Sequence, residues 1–288
     1  MIKFVNSVQD LHACLLRWQQ NGHRIGLVPT MGGLHEGHLS LLSLAKAHCD
    51  KVVTTIYVNP TQFSATEDFG SYPRNLSDDL QTLSNKNACD LVYCPQQMYL
   101  DNHATQIVSS GVALRLEADS RPHFFNGVAT IILKLFNQIK PDVAIFGEKD
   151  YQQLMVIKQL VRDLDLQVEI IAGHIQREKD GLAMSTRNSY LSDNERKTAS
   201  NIYRILQKTA RNLQENQSVS EAINAGILEL NSVGINNIDY FSINDPNTLE
   251  PIAKFNSDAR MLIALYVGTT RLIDNIAVPF LSESRIHS

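Results

Sequence analysis

The sequence predicts an α/β protein, with a Rossmann-like, doubly wound parallel sheet followed by a smaller α+β unit. One observation is that short apolar, β-branched segments alternate with helical apolar stripes up to residue 171. Another is a change to polar, glycine-containing sequence near Gln176, after which helices precede strands. We therefore predict two domains, over residues 1–176 and 177–288. A chain of 288 residues is long enough to bury a proper core.

Apolar spacing predicts the elements of the first domain. Ser7 begins a predicted helix and Gly22 ends it. Leu11, Leu15 and Trp18 form the apolar face of that helix. Further helices are predicted after residue 38 and at residues 75–86, 128–139 and 151–163. Strands are predicted at residues 24–28, 51–58, 90–93, 142–146 and 166–171. Residues 96–111 fit neither the helical nor the strand pattern.

The second domain is predicted to contain two helices and then two strands. Ser192–Glu195 forms a capping box, which opens one long helix that ends near residue 215. The remaining elements are a helix over residues 220–230 and strands over residues 237–243 and 259–267. Helices followed by strands indicate an α+β arrangement.

Composition and charge exclude several classes of protein. The net charge of −4 creates no basic field that would recruit nucleic acid. The amino terminus lacks a signal-peptide pattern, and no apolar run approaches the ~18 residues that span a membrane. The four cysteines have neither zinc-like nor redox-like spacing. We therefore expect a cytosolic protein with reduced thiols and no membrane or nucleic-acid partner.

The chain is organised around a strand-to-helix turn at Pro29–Ser40. The turn contains three glycines and two histidines: Gly32, Gly33, Gly37, His35 and His38. A helix N-terminus offers unpaired N–H groups and partial positive charge, and glycines let a ligand approach the backbone closely. The histidines add side-chain donors at the same place. The turn therefore predicts a phosphate or nucleotide site.

Two well-known motifs fail at this turn. The zinc-protease pattern needs His-Glu-x-x-His, whereas the order here is His-Glu-Gly-His. The phosphate-loop pattern needs Lys and Ser or Thr where His38 and Leu39 stand. No metal site is predicted from side chains.

Polar residues also follow other predicted strands. Asn59 and Gln62 come after the second strand of the first strand–helix–strand unit, where the ligands of parallel sheets bind. Gly147–Asp150 follows a buried strand; its lysine suits a phosphate and its aspartate a ribose hydroxyl, although such clusters are most often solvated turns. Met184–Arg187 offers hydroxyls and a guanidinium to an anion, or is simply an interdomain loop.

The sequence resembles the pantoate–β-alanine ligase family over essentially its whole length. The matching blocks lie at residues 29–38, 57–63, 72–74, 146–153, 177–188 and 270–275. The resemblance implies that ATP and (R)-pantoate form pantoyl adenylate and pyrophosphate, after which the amine of β-alanine gives pantothenate and AMP. It implies an ATP- and pantoate-binding first domain, a C-terminal lid domain, a cytosolic homodimer, and Mg²⁺ held mainly by the phosphates.

The resemblance also implies roles for particular residues. The catalytic positions are His38, His35, Lys149 and Arg187, and the segment carrying Ser185 and Arg187 is expected to close over the phosphates. Nucleotide-binding positions are Met31, Gly32, Gly33, Leu34, His35, Glu36, Gly37, His38, Gly147, Glu148, Lys149, Asp150, Gln176, Met184, Ser185, Thr186 and Arg187. Gln62 and Gln153 match pantoate-binding positions, and Gln62 also meets β-alanine.

The sequence departs from the family pattern at two places. Thr186 replaces a usual serine. In Arg121–Gly127 the glycine that usually follows the proline is missing, so His123 stands one place early.

Three other functions compete with this assignment. They are an adenylyltransferase of the same superfamily, that of the class I aminoacyl-tRNA-synthetase-like nucleotidyltransferases, a non-catalytic nucleotide-binding protein and, last, a tRNA synthetase. An adenylyltransferase has no evident need for Gln62 and Gln153, and a non-catalytic protein has no need to keep every cationic side chain.

Overall fold

The computed structural model describes residues 2–64, 67–215 and 218–280. Its contacts divide the chain into two units. Unit 1 runs to Glu148 and resumes over Gln152–Gln176, and unit 2 comprises Lys149–Tyr151 and the chain from Arg177 onward. The predicted division into residues 1–176 and 177–288 did not anticipate that Lys149–Tyr151 groups with the second unit.

A six-stranded parallel sheet forms the centre of unit 1. Its strands are β1 (Lys3–Val5), β2 (Ile25–Thr30), β3 (Lys51–Ile56), β4 (Leu91–Tyr93), β5 (Val143–Gly147) and β6 (Glu169–Gly173). The strand order is β1-β4-β3-β2-β5-β6. The chain builds outward from β2 in one direction and from β5 in the other, so the order reverses between these neighbours. The predicted doubly wound sheet is confirmed, and β1 is an addition to it.

The helices of unit 1 largely match the predicted ones. They are α1 (Val8–Gln20), α2 (Glu36–His48), α3 (Leu76–Lys86), α4 (Glu117–Ser120), α5 (Phe124–Ile139) and α6 (Tyr151–Asp163). Ser7 caps α1 by accepting from the Asp10 N–H at 3.1 Å, as predicted. Helix α5 begins at Phe124, ahead of the predicted residue 128. Residues 96–111, which fitted neither the helical nor the strand pattern, contain no helix or strand before the 3₁₀ helix that begins at Gly111 and ends at Leu114.

Unit 2 combines three helices with a three-stranded antiparallel sheet, among the residues described. The elements are α7 (Asp193–Ala199), α8 (Asn201–Gln214), α9 (Val219–Ser232), β7 (Asn237–Asn244), β8 (Ala259–Val267) and β9 (Thr270–Val278). The sheet order is β7-β8-β9. The predicted α+β class is confirmed.

Two predictions for unit 2 are wrong. The single long helix is interrupted at Ser200, where the Asn201 side chain donates to the Lys197 and Thr198 carbonyls that a continuing helix would use. Strand β9 was missed, although Gly268 (φ +59°) and Thr269 form a two-residue connection typical of a hairpin.

Each unit buries its own apolar cluster. In unit 1, Val28, Leu42 and Ile145 pack where α2 covers the sheet. In unit 2, Leu206 and Ile263 are fully buried between helices and the small sheet. Within the three described ranges, no helix has the length and apolar character that crossing a membrane requires.

Candidate active site

The strand order of unit 1 reverses between β2 and β5, and this topological switch point is where a ligand site is expected. Strand β2 pairs in parallel with β3 on one side and β5 on the other. Ligands of open parallel sheets bind beyond the carboxyl ends of strands at such a switch point. The segments that leave β2, β3 and β5 there are the histidine turn (residues 31–38), the Asn59–Gln62 loop and Gly147–Glu148.

The two histidines of the histidine turn cap helix α2 with their own rings. His35 is the N-cap residue, and its Nδ1 accepts from the Gly37 N–H at 3.1 Å. The Nδ1 of His38 accepts from the His35 N–H at 3.3 Å. Their ring centroids are 4.1 Å apart. The arrangement is a capping box built from imidazoles instead of a hydroxyl and a carboxylate.

This capping determines which ring nitrogen can donate. A backbone N–H can only donate, so each Nδ1 that faces one must carry no proton. A neutral imidazole then carries its proton on Nε2. His35 and His38 are thus fixed as Nε2–H donors while both caps persist. The hydrogen bond to the backbone thus fixes both the tautomer and the orientation of each ring.

A buried carboxylate holds the glycine part of the turn. Asp79, in the first turn of α3, is only 5% exposed. Its two oxygens accept from the Gly33 N–H at 3.0 Å and the Leu34 N–H at 2.8 Å. Gly32 (φ +87°) passes so close that a Cβ there would lie 3.0 Å from the same carboxylate. Charge-assisted bonds of this kind are among the stronger ones in proteins.

These bonds correct one prediction about the turn. Unpaired N–H groups were expected to face a phosphate, but the amides of Gly33 and Leu34 point at Asp79. The amides of His35 and Gly37 are taken by the two rings. The prediction of unpaired amides is therefore wrong for these four residues. The two Nε2–H groups are the histidine donors that the turn offers.

The Asn59–Gln62 loop touches the histidine turn. Asn59 is 1% exposed, and its Nδ2 donates to Gln62 Oε1 at 3.0 Å and to the Gly127 carbonyl at 3.2 Å. Gln62 Nε2 lies 3.0 Å from the Met31 sulfur. The Gln62 amide is thus held in one orientation beside the turn that follows β2.

Helix α5 supports this loop at close range. A Cβ on Gly127 would lie 2.2 Å from the Thr61 carbonyl oxygen, so no side chain fits there. Arg121 donates to the Gln62 carbonyl at 3.1 Å and pairs with Glu67 and Glu117. Because the backbone of α5 forms the floor of the loop, the position of Gln62 depends on this contact.

Gly127→Ala should destabilise unit 1 by forcing the loop away from α5. We expect a loss of about 1–3 kcal/mol in the free energy of unfolding, as for other overpacked sites. Urea denaturation monitored by circular dichroism measures it. Gly70→Ala is the matched control, because a Cβ on Gly70 meets nothing within 4 Å. Equal stability of the two variants would contradict the close contact.

The segment Arg121–Gly127, which departs from the family pattern, includes Arg121 and the start of α5. His123 is exposed at the start of α5. Phe124 is half-buried, and its ring lies 3.8 Å from the Arg121 guanidinium. The substituted segment therefore presents an aromatic face to the arginine that holds the Gln62 loop.

Other predicted residues of unit 1 lie around the same sheet end. Gly147 is the last residue of β5, and Glu148 lies 3.4 Å from the Nδ1 of His174. Gln153 is half-buried in the first turn of α6, whereas its neighbour Gln152 is buried and donates to the Val112 and Arg115 carbonyls. Gln176 lines a groove together with Glu36 and Ser40 of α2.

The remaining predicted residues belong to unit 2. Lys149 is half-buried and Asp150 exposed in a short 3₁₀ turn. Ser185 caps a 3₁₀ helix, Thr186–Tyr190, and accepts from the Arg187 N–H at 3.3 Å. Met184, Thr186 and Arg187 are half-buried. Hydroxyl, guanidinium and ammonium groups thus occur in two turns of this unit.

Contacts in unit 1 join some predicted residues directly. The His35 and His38 rings contact each other, and Gln62 contacts Met31.

Asp79 was not among the predicted site residues, although it lies on the apolar side of α3, three residues after Leu76 and four before Leu83. A carboxylate on an apolar stripe was the available signal.

The donors around the histidine turn are poor ligands for a hard cation. The oxygens of Asp79 already accept two amide bonds, the exposed Glu36 carboxylate lies 3.6 Å from Lys86 Nζ, and imidazoles, an amide and a thioether are not ligands that a hard cation prefers. In the described ranges, no group of three His, Cys, Asp or Glu side chains is arranged to hold a metal ion.

Comparison with known proteins gives one family. A family model described as Pantoate-beta-alanine ligase matches residues 3–277. A protein of Rhodospirillum rubrum named pantothenate synthetase is 46% identical over 280 residues, which cover 96% of this chain and 99% of that protein. A protein of the same name from a Bradyrhizobium species is 50% identical over 258 residues, covering 88% of this chain and 90% of the other.

Solved structures agree with the sequence comparison. A pantothenate synthetase from Thermus thermophilus superposes with a TM-score of 0.91 at 40% identity, covering 96% of this chain and all of the other. A pantoate-beta-alanine ligase from Francisella tularensis, complexed with beta-gamma ATP and beta-alanine, has a TM-score of 0.81 at 34% identity and covers 96% of this chain and 97% of the other.

Proposed function

This chain belongs to the pantoate–β-alanine ligase family, and from that premise we propose which of its residues carry each step. It is an enzyme that condenses (R)-pantoate with β-alanine to pantothenate at the expense of ATP, through pantoyl adenylate, with AMP and pyrophosphate as products. The observation that carries the proposed assignment is the fixed Nε2–H orientation of His35 and His38.

In the first step, a carboxylate oxygen of pantoate attacks the α-phosphorus of ATP. The bond from that phosphorus to the bridging oxygen breaks, and pyrophosphate leaves with its electron pair. Negative charge grows on the phosphate oxygens, so preorganised donors accelerate the step. We assign His38 Nε2–H to the α-phosphate, with His35 Nε2–H beside it. Both rings enter the reaction already oriented by helix α2.

Cationic and hydroxyl groups of unit 2 are proposed to bind the phosphates. Lys149 contributes an ammonium at the α-phosphate, and Arg187 a planar guanidinium. Ser185 contributes its hydroxyl, and Asp150 and Gly147 bind the ribose. The other proposed nucleotide contacts are Met31, Gly32, Gly33, Leu34, Glu36, Gly37, Glu148, Gln176, Met184 and Thr186.

Pantoate is proposed to bind through Gln62 and Gln153. The Gln62 amide is held by Asn59 and lies beside the Met31 sulfur, which supports a fixed role near the histidine turn. In the second step, the amine of β-alanine attacks the acyl carbon and the bond to the AMP oxygen breaks. Gln62 is proposed to orient β-alanine for that attack, and a proton leaves the nitrogen as the amide forms.

Mg²⁺ enters the proposal as an ion bound to the nucleotide. It would neutralise phosphate charge when present, and Mg²⁺ commonly uses substrate phosphates with few protein ligands. The amide bonds that engage Asp79 support placing the ion on the phosphates.

We also propose a cytosolic homodimer. All four cysteines are free thiols, which suits a reducing compartment. Sedimentation equilibrium at twice the mass of the chain is the expected result for the dimer. The mass of a single chain at micromolar concentration would contradict it.

The assay that tests the proposal measures pyrophosphate from ATP and Mg²⁺ in a single turnover. With (R)-pantoate alone, one equivalent of pyrophosphate per site is expected. Adding β-alanine should convert the burst into steady formation of AMP and pantothenate. Pyrophosphate release that needs β-alanine from the start would contradict the proposed order of steps.

Gln62→Ala should raise the KM for pantoate about tenfold or more while changing the KM for ATP little, since one bond to a charged ligand is lost. Asn59 keeps its bond to the Gly127 carbonyl, so the fold should persist. Initial rates with each substrate varied measure the effect. Gln97→Ala, an exposed glutamine of the same unit, is the control. Equal increases in both KM values would contradict the assignment.

A further inference from the structure

The strand β9 carries a polar pair that the proposed chemistry does not use. Asp274 and Asn275 are 3% and 2% exposed, within a segment (residues 270–275) that matches the family pattern. Buried polar side chains need hydrogen-bond partners. The partners of this pair lead to the turn that holds Lys149.

Both polar groups of the Asn275 amide are engaged within unit 2. Its Nδ2 donates to the Lys149 carbonyl at 2.8 Å. Its Oδ1 accepts from Arg260 Nε at 2.7 Å. Because Arg260 can only donate and the Lys149 carbonyl can only accept, the orientation of the Asn275 amide is determined.

Arg260 holds the other end of the same turn. It is 7% exposed, and its guanidinium lies 4.1 Å from the centre of the Tyr151 ring. The Tyr151 hydroxyl donates to the Pro246 carbonyl at 3.0 Å. The three residues Lys149–Tyr151 are thus anchored to the small sheet at a backbone carbonyl and at an aromatic ring.

Asp274 fixes the strand beneath this anchor. Arg177 donates to both of its oxygens, at 2.6 and 2.9 Å. Burial raises the pKa of the Asp274 carboxyl, while the Arg177 guanidinium and the Lys149 charge oppose that shift. Both oxygens of Asp274 are bonded to Arg177, and the side chain that contacts the Lys149 backbone is that of Asn275.

We propose that Asn275, oriented by Arg260, is a positioning residue that sets the location of Lys149 for phosphate binding. This inference rests on the proposed role of Lys149. A lysine has a long, flexible side chain, so the reach of its ammonium depends on where its backbone is held. A displacement of about 1 Å in a reacting group costs on the order of 100-fold in rate.

Asn275→Asp tests the bond with almost no change in shape. The carboxylate keeps an oxygen for Arg260 but places an acceptor against the Lys149 carbonyl. We expect single-turnover pyrophosphate formation to fall about 10- to 100-fold, with the KM for pantoate within about twofold of wild type. Arg271→Gln is the matched control, because Arg271 lies on the same strand and pairs with Asp239 instead. The control should keep the wild-type rate.

A double-mutant cycle with Lys149→Ala separates positioning from a general structural role. If Asn275 acts through Lys149, Asn275→Asp should add little once Lys149 is gone. If the losses of rate multiply in the double variant, or if Asn275→Asp keeps the wild-type rate, the inference is overturned and the proposed function stands. A wild-type rate in Lys149→Ala would instead overturn the proposed role of Lys149, and the inference with it.

Arg260→Lys covers the case in which Asn275→Asp does not fold. It keeps a positive charge but loses the Nε bond that orients Asn275. Circular dichroism and thermal unfolding establish that each variant is folded before rates are compared. We expect a smaller loss of rate than in Asn275→Asp, again absent in the Lys149→Ala background. A full, independent loss in that background would count against positioning.

Discussion

His38→Ala should cut pyrophosphate formation by about 10²- to 10⁴-fold, the range seen when a positioned donor or proton-transfer group is removed. The ring supplies an Nε2–H to the growing charge on the α-phosphate, in the proposed mechanism. Alanine also removes the acceptor for the His35 N–H, which costs about 1 kcal/mol as a lost helix cap. Rate should therefore collapse while the fold persists. Rapid-quench measurement of pyrophosphate and thermal unfolding give the two quantities.

His48→Ala provides the comparison for that experiment. His48 is exposed in the last turn of the same helix, so the same substitution is made far from the capped end. Its rate should match wild type. A His38→Ala rate within about threefold of wild type would remove the ring from the chemistry, since it falls well short of the loss expected for one donor.

The parts of the fold that local pattern determines were predictable. The alternation of buried strands and apolar stripes predicted the parallel sheet, and α6 has the predicted bounds, Tyr151–Asp163. The Pro29–Ser40 segment was predicted as a strand-to-helix turn, and it runs from the end of β2 into the start of α2. These features depend on periodicity and on glycine, which are visible along the chain.

Features that depend on distant contacts were not predictable. The glycine turn and Asp79 are separated by 46 residues, and only the folded chain brings them together. The use of imidazole rings as helix caps was also missed, because histidine is not a usual N-cap residue. Lys149–Tyr151 groups with unit 2, where the Lys149 carbonyl accepts from Asn275, 126 residues further along the chain. Propensity and spacing carry no information on such pairs.

Asp79→Asn should lower both the free energy of unfolding and the rate of adenylate formation. The histidine turn loses one of the two backbone hydrogen bonds that hold it to α3. An amide offers one oxygen, so either Gly33 or Leu34 is left with its N–H against an NH₂ group. A buried donor without an acceptor costs about 1–3 kcal/mol. The displaced turn carries His35 and His38, so we expect adenylate formation to fall on the order of 100-fold. Urea denaturation and single-turnover pyrophosphate release measure the two losses.

Asp78→Asn isolates the effect of burial from that of charge. Asp78 precedes Asp79 on the same helix, but it is exposed and contacts Asn75. Both substitutions remove one negative charge near the start of α3, so a purely electrostatic effect would appear in both. If only Asp79→Asn loses rate, the carboxylate acts through the backbone of the histidine turn. If Asp79→Asn loses stability but keeps the wild-type rate per folded molecule, the turn does not need Asp79 to hold its histidines, and the capping rings alone position their Nε2–H donors.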